Sequence, residues 1–143
     1  MIKKEVLDAL NEQINAETYS AYMYLSMAAY FENMGLSGFA HWMKIQYQEE
    51  AAHALKFFNY LTDRGGRVIL KTVDQVPVDF DGILDVYEKT LVHVQRVSKH
   101  PPISSLGIDS DGRFARFQWV DCTSIWHRRR HPFCLEWVAR ICL

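Results

Sequence analysis

Glu17, Glu50 and His53 stand where the helical pattern calls for apolar side chains. One inward stripe reads Leu10, Ile14, Glu17, Ala21, Tyr24, Ala28, Phe31, in steps of four and three that keep one face of a 3.6-residue helix toward a partner. A second reads Phe39, Met43, Gln46, Glu50, His53, Phe57, Tyr60. Two carboxylates and an imidazole are thereby aimed at one apolar interior. An unpaired charge is costly there, and a hard cation offsets that cost. The pattern predicts a carboxylate–histidine metal site. The alternative is a polar cluster whose three members satisfy one another without a cation.

The elements that must position these groups are long helices. Residues 4–34 read as one helix, closed by Gly35, a residue that accepts the left-handed conformation beyond a helix end. Ser37 is a candidate cap for a second helix over 38–64, which Gly65-Gly66 stops. Residues 68–80 have no helical period and contain Pro77; Asp79 or Asp81 then caps a third helix over 82–99, with an inward stripe Leu84, Tyr87, Leu91, Val94. The connection from Gly65 to Asp81 is long for a helical bundle. Fully extended it reaches roughly 50 Å, at about 3.3 Å per residue, whereas helix two is about 40 Å long. It can therefore travel the length of helix two and set helices two and three parallel. The expected class is all-α, a four-helix bundle with a long crossover between helices two and three and a degraded fourth helix.

The 143 residues are the size of a single domain, 1–143, and nearly half are apolar. A net charge of −1 predicts no nucleic-acid partner. The opening residues lead straight into an amphipathic pattern rather than a signal peptide, and the longest mostly apolar stretch, 21–31, is too short to span a bilayer. Cys122, Cys134 and Cys142 form no C-x-x-C pair; an odd count points to a reducing cytoplasm. Beyond about residue 100 the chain changes character. Residues 1–100 hold seven Lys and three Arg, residues 101–143 six Arg and no Lys. Pro101-Pro102 should end helix three, and residues 113–131 carry no clean apolar stripe.

Leu7-x-x-Leu10-Asn11-x-Gln13-Ile14-Asn15-x-Glu17, Tyr22-x-Tyr24-Leu25-x-Met27-Ala28 and Gly38-Phe39-Ala40-His41-Trp42-Met43 resemble the bacterial and archaeal non-haem ferritins. So does Gln48-Glu49-Glu50-Ala51-Ala52-His53-Ala54-x-Lys56-Phe57-Phe58-Asn59-Tyr60, followed by Arg64-Gly65-Gly66-Arg67-Val68. The likeness runs over residues 3–99. It implies a ferritin-like fold in the cytoplasm and a homo-oligomeric cage. It also implies a ferroxidase that oxidises Fe(II) to Fe(III) with O₂ or peroxide and stores the ferric mineral. By position, Glu17, Glu50 and His53 resemble the ligands of the first iron, Glu50 bridging to a second. Tyr24 resembles the tyrosine beside that centre, and Glu49 an outer carboxylate that passes iron to or from it. Carboxylates and an imidazole suit Fe(II).

The chain departs from the pattern where the second iron is held. Val92 and Val94 stand where the family carries glutamates, and Arg128-Arg129-Arg130 about where it has a glutamate run. A guanidinium cannot ligate iron. GAG triplets read out of register give AGG, an arginine codon, so residues 100–143 read as a frame-shifted tail. A short fifth helix is expected in the family beyond this length, and with it cage closure. A second function thus stays open: a catalytically impaired or structural ferritin subunit with half a metal site. A rubrerythrin-like peroxidase would need a second E-x-x-H, which residues 80–143 lack. His127, His131 and Cys134 have zinc-like spacing broken by Pro132, and Met23, Met27, Met34 and Met43 define no haem site.

Overall fold

Two glycine-closed helix ends organise the chain. In the computed structural model, which describes residues 2–97, the elements are α1 (Lys4–Asn33), α2 (Ser37–Asp63) and α3 (Ile83–Val97). At the end of α1, Gly35 takes φ +72°, Leu36 N–H donates to Phe31 O at 2.9 Å and Gly35 N–H to Glu32 O at 3.0 Å. The end of α2 repeats the arrangement: Gly65 at φ +69°, Gly66 N–H to Leu61 O at 2.8 Å, Gly65 N–H to Thr62 O at 3.0 Å. This paired bonding is the Schellman motif, and it satisfies carbonyls that a helix end leaves open. Ser37 does not cap α2. It is the first helical residue, preceded by Leu36, and no side-chain cap bond forms.

All seven residues of the α1 stripe are buried, from Leu10 and Phe31 at 0 % to Ala21 at 5 % exposure. They pack on Phe39, Ala40, Met43, Phe57 and Leu61 of α2. The Phe31 and Phe39 rings meet at 5.3 Å near the tight turn, so α2 runs back antiparallel to α1.

The crossover, residues 64–82, is pinned along α1. Asn11 Nδ2 donates to Arg67 O at 3.2 Å, and Asn11 Oδ1 accepts from Ile69 N at 2.7 Å. Lys71 pairs with Glu12. Ser26 Oγ donates to Pro77 O at 2.6 Å, and Tyr30 Oη donates to Phe80 O at 2.9 Å. The anchors advance from residue 11 to residue 30 of α1, about 28 Å at 1.5 Å per residue. The chain thus reaches the far end of the helix pair before α3 begins. From there α3 runs back along α1: Tyr87 meets Phe31, Phe39 and Trp42, Thr90 lies beside Met27, and His93 reaches Ser20. Helices α2 and α3 are therefore parallel, as the crossover length requires.

Two expectations for α3 change. Its N-terminus is closed by Asp85 of its own first turn, whose Oδ2 accepts from Asp81 N–H at 3.1 Å, rather than by an Asp79 or Asp81 side chain. Its buried face is Val86 and Thr90, flanked by half-buried Ile83, Tyr87, His93 and Val94; Leu84 and Leu91 are 72 % and 58 % exposed. The helix has one broad apolar face, so periodicity alone could not select the flank of it that meets α1. Among the described residues no helix is long and apolar enough to cross a membrane. The expected fourth helix, the Arg128–Arg130 run and the His127, His131 and Cys134 spacing lie outside the described residues.

Candidate metal centre

Glu17 reaches the pocket from the middle of α1 and Glu50 and His53 from the middle of α2. The i, i+3 spacing puts the latter two on one face. His53 Nδ1 is 3.3 Å from Glu50 Oε2 and 3.9 Å from Glu17 Oε2. One ligand atom from each residue lies within 4.8 Å of the others. Gln13, one turn before Glu17, donates from Nε2 to Glu17 Oε1 at 2.8 Å and fixes that carboxyl. Side-chain exposure rises across the group, from 3 % at Glu17 through 12 % at Glu50 to 35 % at His53, so the pocket opens to solvent along the His53 edge.

The three groups hold protons in a way that reports crowding. Burial, and then the hydrogen bond and charge of Glu50, push the Glu17 carboxyl up to about 8. Burial also acts to raise Glu50, but hydrogen bonds with His53 and Glu17 outweigh it and hold that carboxyl below its ordinary value, with the charges of His53 and His93 helping. The bond to Glu50 raises His53 against its own burial, with the Glu17 and Glu50 charges adding. At neutral pH the arrangement is a neutral Glu17 donating to an ionised Glu50 that also faces a readily protonated His53. The group meets the demand that buried charge be paired by keeping protons in the pocket. A divalent cation can displace those protons and take the same oxygen and nitrogen donors, a set that suits first-row divalent metals.

The other two predicted residues stand on the same two helices. Glu49 is exposed and accepts a hydrogen bond from Gln46 Nε2 at 3.0 Å. Tyr24 lies two turns beyond Glu17 on the same stripe, 2 % exposed, within a core that includes Met23, Met27, Ala28 and Phe31. Two residues given no role from sequence also stand at the pocket's level. Ser20 is one turn beyond Glu17 and 1 % exposed, and His93 of α3 has Nε2 at 2.7 Å from Ser20 Oγ. Their signal was the 86–90–93 spacing on α3, hidden because two of those three residues are polar. Val94, beside His93, is half-buried and presents hydrocarbon.

The comparisons with known proteins agree with this geometry. Residues 7–100 match the ferritin family, described as a ferritin-like domain. A bacterial non-heme ferritin of Bacteroides fragilis (strain 638R) is 46 % identical over 99 residues, 69 % of this chain and 62 % of the relative. One from Staphylococcus aureus (strain USA300) is 36 % identical over 99 residues, 69 % of this chain and 60 % of the relative. Among solved structures, an open-pore ferritin from the hyperthermophilic archaeon Archaeoglobus fulgidus is 48 % identical, with a TM-score of 0.67 over 69 % of this chain and 61 % of that one. The chain spans about three-fifths of the length of these relatives. With a family match over residues 7–100 and a carboxylate–histidine pocket between its first two helices, the chain belongs to the ferritin family.

Proposed function

We propose that this chain is an iron-handling ferritin subunit that takes up Fe(II) at Glu17, Glu50 and His53 and releases Fe(III). The observation that carries this is the meeting of two carboxylates and an imidazole in a part-buried pocket, held at neutral pH by protons that a cation can replace. Glu17 and Glu50 supply anionic oxygens that suit iron in both oxidation states, and His53 supplies a nitrogen that suits Fe(II). The solvent-facing His53 edge leaves room for a small oxidant to approach. The electron balance is 2 Fe(II) + O₂ + 2 H⁺ → 2 Fe(III) + H₂O₂, so each O₂ needs two iron ions. In this reading Glu50 bridges them, Tyr24 is the aromatic neighbour of the centre and Glu49 passes iron at the surface. The subunit assembles with copies of itself into a storage cage.

A second reading rests on Val94. Its hydrocarbon stands where the family places a carboxylate, which favours a subunit that binds a single iron and oxidises it slowly. Aerobic Fe(II) titration separates the two. A fast phase near about two iron ions per chain supports the dinuclear ferroxidase, and a slow phase near about one supports the impaired subunit. Glu50→Ala should remove metal uptake in either case; unchanged uptake would exclude this pocket as the site. Gel filtration tests the cage, and elution at the mass of one chain would refute storage by this chain alone.

A further inference from the structure

The third helix reaches the pocket's level through His93. His93 Nε2 lies 2.7 Å from Ser20 Oγ, and its ring packs on Tyr19 with centroids 5.8 Å apart and planes at 42°. Ser20 Oγ donates to Ala16 O at 2.9 Å. Ser20 has one hydroxyl proton for these two neighbours: with it on Ala16 O the imidazole donates from Nε2, and with it on Nε2 the imidazole accepts. Either way the partner is an almost wholly buried hydroxyl one helical turn beyond Glu17, on the same face of α1. One turn earlier on α3, Thr90 offers α1 only a 3.4 Å approach to the Met27 sulfur, a weak acceptor. The Ser20–His93 bond is the tighter and more directional tie between these helices. The imidazole is also near enough for its charge to act on Glu50.

We propose that His93 is a positioning residue of the metal pocket: through Ser20 it clamps α3 to α1 one turn from Glu17 and holds the third wall against Glu50. The proposal rests on the reading of Glu17, Glu50 and His53 as metal ligands. Groups that orient ligands without touching the metal change affinity by roughly 10- to 100-fold when removed. The clamp has a further effect. It fixes the register of α3 so that Val94, the next residue, comes to the level at which the family supplies a carboxylate.

The test is Co(II) titration of the full chain, followed by visible absorption, for wild type, Ser20→Ala, His93→Leu, the double variant and His93→Gln. Helical circular dichroism of each variant checks that it is folded. Each single variant should weaken Co(II) binding about tenfold. The double variant should be no weaker than either single one. His93→Gln, whose amide can donate to Ser20 Oγ, should recover most of the loss. If His93→Leu fails to fold, the comparison of Ser20→Ala with His93→Gln decides. Unchanged affinity in Ser20→Ala, losses that add in the double variant, or a His93→Gln as weak as His93→Leu would overturn the proposal. Glu50→Ala keeps the two ideas apart. If it abolishes binding while the Ser20 and His93 variants bind normally, the pocket stands and the clamp falls. If it binds Co(II) as well as wild type, both fall.

Discussion

Replacing Glu17 by glutamine should cost the apo protein little at pH 7 and protect it at pH 9. A glutamine copies the neutral acid that burial imposes on Glu17: its carbonyl can still accept from Gln13 and its amide can still donate to Glu50. The unfolded chain titrates Glu17 near 4.5 and the folded one near 8. The folded state therefore keeps a proton that the unfolded chain has released. The stability tied to that proton is complete below pH 4.5 and is lost as pH rises through 8. Glu17 is about nine-tenths protonated at pH 7 and about one-tenth at pH 9, a tenfold change worth about 1.4 kcal/mol. His53, also raised, loses stability in the same direction in both proteins, and part of its rise comes from the Glu17 charge that the variant lacks. Urea unfolding of metal-free wild type and Glu17→Gln at pH 7 and pH 9 reads the Glu17 part together with its coupling to His53. The gap between them should move by about 1.4 kcal/mol in favour of the variant. A gap that stays constant, or a variant more than about 2 kcal/mol less stable at pH 7, would refute the buried neutral acid. The same variant should bind Co(II) at least about tenfold more weakly, having lost an anionic ligand.

Asn11→Ala removes two bonds to the crossover and leaves Arg67 O and Ile69 N–H without that partner, so urea unfolding should show a loss of about 2–3 kcal/mol. A loss under about 0.5 kcal/mol would mean that the crossover is held elsewhere. On the single-iron reading, Val94→Glu adds a carboxylate to α3 at the pocket's level, and Co(II) stoichiometry should rise from about one to about two per chain. An unchanged stoichiometry would show that position 94 does not face the metal.

The grouping of Glu17, Glu50 and His53 was legible in the residues because ionisable groups are rare on apolar stripes. The α1 stripe held at all seven positions, since a long helix against one main partner shows its inner face cleanly. The α2 stripe is buried at Phe39, Met43 and Phe57 but only half-buried from Gln46 to His53, where the pocket opens. On α3 the pattern misled: Leu84 and Leu91 are exposed, while Val86 and Thr90 meet α1. Hydrophobicity ranks residues and does not say which flank of a broad apolar face has a neighbour. His93 was missed for the converse reason. Its importance lies in its register against Ser20, a relation between distant positions that no local window contains.

The crossover holds its path by an unequal bargain. Arg67, Ile69, Pro77 and Phe80 contribute main-chain atoms alone to their bonds, and the matching side chains, Asn11, Ser26 and Tyr30, all belong to the opening helix. Every residue type except proline supplies that N–H, and every type supplies that carbonyl. Much of the route is therefore inscribed in α1, and away from the buried Val76 and Phe80 the strap can diverge in composition while still threading the same course.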